Sequence, residues 1–216
     1  MKNLKYFSLG LFSILFILGI ITMPNFISSY SNSIESVAPY DLLIHNLYPY
    51  LTYDELMECS DIIVSGQVVS ISESKWSTPD GKQPDGVIIT EKVDENGEPC
   101  IDFLIDLKEN EFIYTDIIFK VNTIYMGDLK ENEIVVRFLT GTVDNLRMSD
   151  ESGLDIQNYK EGGNYLFFLS NHRTYGGEKI PNCYSINTPR GALINTNPEN
   201  FINFDGEKFD PNVLYK

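Results

Sequence analysis

Between Tyr114 and Tyr125 apolar and polar positions alternate. Ile117, Phe119, Val121 and Tyr125 fall on one side, and Asp116, Lys120 and Asn122 on the other. That is the period of two expected of a half-buried strand. After a break at Met126-Gly127-Asp128 the alternation resumes, with Ile134, Val136 and Phe138 on one side and Arg137 on the other. Two such runs joined through a Gly-containing loop predict an antiparallel hairpin with Phe119, Val121, Val136 and Phe138 inward. Asp116, Lys120 and Arg137 are then expected outward.

The other strands are placed around this hairpin. Asp61 to Ile71 is an apolar run with an interior Gly66, which predicts a bulge or tight bend. Tyr165-Leu-Phe-Phe-Leu169 is apolar on both faces and is expected at the centre of a sheet. Tyr184-Ser-Ile186 and Ala192-Leu-Ile194 flank Thr188-Pro-Arg-Gly191 as a last hairpin, and Phe201, Phe204 and Phe209 of the tail are available to pack back. The five principal strands are expected at 61–72, 113–126, 133–140, 164–170 and 183–195. Between the first two, 87–93 and 101–107 read as an inserted hairpin around the turn Asp94-Glu-Asn-Gly97. Thr142 to Glu161 is polar and reads as a long loop with at most one helical turn.

Ahead of the first strand, Thr52-Tyr-Asp-Glu55 has the capping-box pattern that opens a helix, here a short one ending near Ser60. The expected fold is mainly β: a five-stranded OB-like Greek-key barrel with an inserted β-hairpin, a short helix before the first strand and an N-terminal hydrophobic helix.

That last helix concerns destination. Lys2 and Lys5 precede an apolar run from Tyr6 to Ile21, so residues 1–24 read as a signal peptide or signal anchor. The next basic residue is Lys75, which leaves the N-terminus cytoplasmic and the domain outside, secreted or membrane-anchored. Residues 25–50 are expected to be a tether, ordered in part where Leu42, Leu43, Leu47 and Tyr48 can pack, and residues 51–216 the barrel domain. Removing residues 1–30, which hold two Lys and no acid, takes the formal charge from −15 to −17. Such an acidic surface repels phosphate backbones and anionic headgroups, so no nucleic acid is expected as a partner, and the membrane is reached only through the N-terminal segment.

Asp61-Ile-Ile-Val-Ser-Gly-Gln-Val68, Phe119-Lys-Val-Asn-Thr-Ile-Tyr-Met-Gly127 and Glu161-Gly-Gly-Asn-Tyr-Leu-Phe167 resemble the three anchor stretches of netrin-like modules, over about residues 52 to 195. Those modules are akin to the inhibitory domain of tissue inhibitors of metalloproteinases. The resemblance implies an OB-like barrel and an exported location. The family's inhibitors place a disulfide-bonded N-terminal Cys on the enzyme's zinc, whereas this chain has no Cys before Cys59 and lacks the dense disulfide framework. No inhibitory residue is therefore carried over.

No residue is singled out as catalytic, cofactor-binding or metal-ligating. Cys59, Cys100 and Cys183 have neither zinc-ligand nor redox-motif spacing, and either one disulfide or three free thiols is allowed. His45 and His172 are the only histidines, and no Gly-x-Ser-x-Gly elbow accompanies them. The acidic stretches Asp94 to Glu98 and Asp150 to Asp155 lack calcium-loop spacing. Tyr48, Tyr50, Tyr53, Tyr159 and Tyr175 lie outside the central strands and offer a sugar- or peptide-binding surface. The expected function is a non-enzymatic interaction module for extracellular protein or polysaccharide. The alternatives are an extracytoplasmic hydrolase or, less favoured, a protease-inhibitor-like domain.

Overall fold

In a computed structural model of the chain, the structure describes residues 40–44, 48–93, 95–97, 99–108, 111–150, 152–171, 180–197 and 200–215. The hydrophobic segment expected at 1–24, His45, His172 and Tyr175 lie outside these residues. Among the described residues no helix is long and apolar enough to cross a membrane.

Five strands close a barrel: β2 (Ile62–Ile71), β6 (Ile113–Met126), β7 (Glu133–Phe138), β10 (Asn164–Asn171) and β11 (Cys183–Ile186). β2 pairs antiparallel with β6 and β10, β6 with β7, and β10 with β11. The parallel β7–β11 pairing closes the ring, with Cys183 opposite Val135. This mainly β closed barrel is compatible with an OB-like fold.

The alternation explains what fills it. Val64, Val68, Ile117, Phe119, Val136, Phe138, Phe167 and Leu169 point inward into one buried cluster. Phe119 and Phe167 are fully buried with ring centroids 4.9 Å apart. β10 is apolar on both faces because Leu166 and Phe168 serve a second cluster outside the barrel. There they meet Ile63 of β2 and Leu56 of helix α1 (Tyr53–Cys59). The capping box at the start of α1 is complete: the Thr52 hydroxyl accepts from the Glu55 amide at 3.3 Å, and the Glu55 carboxylate accepts from the Thr52 amide at 2.7 Å. The tail also closes over this outer layer, with Phe201 and Phe209 buried in β13 (Asn200–Ile202) and β14 (Lys208–Phe209).

Gly66 sits at a register shift in the β2–β6 pairing. A Cβ there would lie 2.0 Å from the Lys120 carbonyl oxygen, so the two backbones can approach only because Gly66 has no side chain. Its backbone does not need positive φ.

Four expectations are corrected. First, the stretch read as a loop from Thr142 contains a hairpin, β8 (Gly141–Val143) and β9 (Leu146–Asp150), followed by a 3-10 turn at Ile156–Asn158. β9 is joined in parallel by β1 (Tyr40–Ile44), which holds Leu42 and Leu43, where the 25–50 segment is expected to be ordered in part. Second, Asp116 and Arg137 face out of the barrel but are buried, because this small sheet covers them: Leu146 and Met148 share a third cluster with Tyr114, and the Tyr114 ring lies 4.0 Å from the Arg137 guanidinium. Third, Tyr125 packs in the outer cluster rather than with Phe119. Asn122 and Tyr125 are extra residues in β6 relative to β2, and each bulge switches the faces that follow. Fourth, β11 and β12 (Ala192–Asn197) form no hairpin; both pair with β10, at Leu169–Ile186 and Phe167–Ala192.

The inserted hairpin is present as β4 (Val87–Val93) and β5 (Pro99–Ile105), with β3 (Lys75–Trp76) paired to the start of β6 just before it.

Candidate functional site

A cleft of about 380 Å³ opens where the C-terminal ends of α1, β10 and β11 meet. Pairing of β10 with β11 sets Ser170 opposite Ser185, and the chain leaving β11 carries Asn187 and Thr188 along the cleft wall. The capped helix α1, held by its buried Leu56, brings Cys59 and Ser60 to the same place.

Asn187 ties the three elements together. Its Nδ2 donates to Ser60 Oγ at 3.0 Å and to the Cys59 carbonyl at 3.4 Å, and Cys59 Sγ lies 3.6 Å away. Ser170 Oγ lies within hydrogen-bond reach of Asn187 Oδ1 and, at 3.2 Å, of the Cys59 carbonyl. One hydroxyl proton serves one of these at a time, and the oxygen retains lone pairs able to accept. The Thr188 side chain is 2% exposed, and its hydroxyl finds no hydrogen-bond partner among the described residues. Pro49, Leu51 and Ile186 supply the apolar part of the wall. Among the described residues none that lines this cleft is charged.

Tyr50 stands between Pro49 and Leu51 and is 81% exposed. Arg190 anchors this segment. Its guanidinium lies 4.8 Å from the Tyr50 ring centroid and 4.4 Å from that of Tyr53, donates to the Leu51 carbonyl at 2.9 Å, and pairs with Glu207 at 2.5 Å.

A second cleft of about 250 Å³ lies beyond Ser185 and Ile186 and is bordered by Tyr48, Arg137 and Asp150. Arg137 is committed there to Asp116. Burial opposes its charge, but the hydrogen-bonded carboxylate outweighs this and raises the guanidinium pKa. Burial also pushes the nearby Cys183 thiol up to about 11, against the pull of Arg137.

The tyrosines expected to form one surface are dispersed. Tyr50 is exposed, Tyr48 donates to Asp150 at 3.1 Å, and Tyr53 packs on Phe209 with centroids 4.4 Å apart. Tyr159 lies within the barrel cluster against Phe138, and burial raises its phenol pKa well above the ordinary value. In the acidic stretch after β9, Asp150 accepts from the Ser152 amide at 2.7 Å. Asp155 caps the following turn through the Gln157 amide at 2.9 Å and pairs with Arg147. Among the described residues no group of His, Cys, Asp or Glu is arranged to hold a metal ion. Cys59 and Cys183 are free thiols.

Sequence reading missed Ser170, Asn187 and Thr188. Asn187 and Ser60 are 127 residues apart, and no local spacing announces a site assembled by strand pairing across that distance. No protein-family model and no characterised protein matches the chain.

Proposed function

We propose that the chain is an exported interaction module of the netrin-like OB type, secreted or anchored through residues 1–24, which binds extracellular protein or polysaccharide without transforming it. The observation that carries this reading is the cleft whose described lining combines hydroxyl and amide groups with an apolar wall, and whose lining residues Pro49 and Leu51 flank the exposed Tyr50. Polar side chains that converge on an apolar wall fix a ligand's orientation, and a half-free aromatic ring adds contact area at little entropic cost. The closed barrel beneath supplies a rigid support.

Two measurements test it. A reporter fused after Lys216 is expected to be active only outside the cytoplasm; activity inside would remove the export reading. Photo-crosslinking from Tyr50 in the native cell envelope is expected to trap one recurrent partner, protein or polysaccharide. A site that traps nothing, or that traps a molecule which the purified chain then cleaves, rules out a binding-only module.

A further inference from the structure

We infer that β9 is a strand-accepting site, filled by the chain's own β1 and exchangeable for β1 of a second copy. The inference goes beyond the reading above and does not depend on it. The occupant can be named because one example is already seated. β1 pairs in parallel with β9 over five positions, from Tyr40 opposite Leu146 to Ile44 opposite Asp150. Every copy therefore brings both the acceptor and the strand that fits it.

The two strands are held unequally. β9 belongs to the body of the domain: Leu146 and Met148 are buried in the cluster with Trp76, Ile113 and Tyr114, and Ser149 and Asp150 are buried as well. None of the described side chains of β1 is buried. Tyr40 and Leu42 rest half-buried against the rim of that cluster, while Asp41 and Leu43 are exposed. What holds β1 is instead main-chain pairing, which strand addition supplies from any extended segment, together with an ion pair that sets the register. Arg147 stands directly opposite Asp41, with Nη1 3.5 Å from its carboxylate, and the buried Asp155 fixes Nη2 at 2.9 Å. The acceptor thus presents a positioned cation, and the segment that fills it carries an acid at the matching place. A short parallel strand that buries so little belongs to the part of a fold that opens first.

Connectivity permits the exchange. β1 is the first of the described elements, so it can leave β9 and enter another copy without any other strand being unthreaded. Reciprocal exchange replaces each contact by its equal, which makes swapping an identical element a low-cost route to a closed dimer. Two copies of formal charge −15 repel, but at physiological salt charges farther apart than about 8 Å are largely screened.

The test uses the full chain in detergent, in a Cys59→Ser/Cys100→Ser/Cys183→Ala background, with a short bifunctional thiol reagent. One tagged chain carries Leu43→Cys and a differently tagged chain carries Ser149→Cys, so neither can link within itself. Ser149 is 7% exposed and stands opposite Leu43, so a thiol there meets the strand that fills the site. A covalent heterodimer is expected, formed faster than when Lys120→Cys, at an exposed position open to any collision, replaces Ser149→Cys. Adding Asp41→Arg to the Leu43→Cys chain is expected to slow linking about fivefold, the scale of an exposed ion pair. A chain carrying both Leu43→Cys and Ser149→Cys is expected to link internally at high dilution, which shows that the variants fold with β1 in place. A heterodimer no faster than the Lys120 control overturns exchange. Failure of the doubly substituted chain to link internally, or indifference to Asp41→Arg, overturns the seating and register on which it depends. Capture of another protein from the cell envelope by the Ser149→Cys chain, with none of a second copy, gives the site to a different partner and overturns it too.

Discussion

Arg137 holds Asp116 through two parallel hydrogen bonds, Nε to Oδ1 and Nη2 to Oδ2, each 2.7 Å long, from the directly opposite position in the β6–β7 ladder. Both residues lie on the outer face of the barrel, and both are nearly inaccessible to water. A buried pair of this kind adds little net stability, because desolvation offsets the attraction, but removing the carboxylate takes two hydrogen bonds from a buried charge.

Asp116→Ala, which leaves the guanidinium under the Tyr114 ring without its carboxylate, is therefore expected to cost about 3–5 kcal/mol. The double variant Asp116→Leu/Arg137→Met is expected to recover most of that loss. Urea unfolding of the parent, the single and the double variant measures both. A loss below about 1 kcal/mol in the single variant, the range of an exposed pair, would return these residues to the surface.

This pair also marks where the sequence stops being legible. The alternation in β6 and β7 identifies correctly that Ile117, Phe119, Val121, Ile134, Val136 and Phe138 serve the barrel interior, and fails at Tyr125. The apolar run of β10 correctly marks a central strand, because Phe167 and Phe168 serve clusters on opposite faces. What hides is the covering layer. Between Gly141 and Asp150 only Leu146 and Met148 alternate, too short a signal to announce a hairpin, yet those two side chains build the cluster that shields Asp116 and Arg137. Bulges are equally silent: nothing at Asn122 foretells that the faces of β6 exchange before Tyr125. The cleft was illegible for a third reason, since Cys59, Ser170 and Asn187 meet only through tertiary pairing.

The register of the barrel is open to a paired substitution. Phe119 is wholly buried against Phe167, whereas its neighbour Lys120 is exposed. Phe119→Ala is expected to cost about 3–5 kcal/mol. Lys120→Ala should stay under about 0.5 kcal/mol. Similar losses in the two variants would contradict the assignment of faces.

The helix cap carries a pH dependence. The Thr52 amide, and then its hydroxyl, hold the Glu55 carboxyl below its ordinary pKa. A depressed carboxylate contributes stability that is present above its unfolded pKa and is lost as pH falls through the folded value. Amide exchange in Tyr53–Cys59 is thus expected to accelerate on acidification into that window in the parent, and much less in Glu55→Gln. Identical acid profiles for the two proteins would exclude the cap as the cause.

The thiols of Cys59 and Cys183 should differ in reactivity. Cys59 is exposed, while Cys183 is partly buried with its pKa raised to about 11, so at pH 8 little thiolate forms there. Iodoacetamide followed by peptide mapping is expected to label Cys59 in the folded protein and Cys183 only after denaturant is added. The raised pKa also fixes a sign: the stability it represents is present below the unfolded thiol pKa and declines as pH rises toward 11. Fast labelling of Cys183 in the native state would show that β11 does not shield it.

Gly66 gives the sharpest contrast with ordinary strand behaviour. In a strand interior, Gly→Ala usually gains about 0.5–1 kcal/mol, because glycine loses more conformational freedom on folding. At Gly66 the added methyl would sit 2.0 Å from the Lys120 carbonyl oxygen and 3.0 Å from the Phe119 ring. The first of these is backbone and cannot swing aside, so β2 and β6 must separate at a point where the barrel is already bulged. Gly66→Ala is therefore expected to reverse the usual sign and destabilise by about 1–3 kcal/mol, the range of core overpacking, with Gly66→Val worse. The same change at Gly81 supplies the control. A Cβ there meets nothing within 4 Å, and its cost comes from the positive φ of +71° alone. Chemical denaturation that finds Gly66→Ala as stable as the parent would mean that β2 and β6 do not approach this closely, and the bend assigned to Gly66 would have to be placed elsewhere.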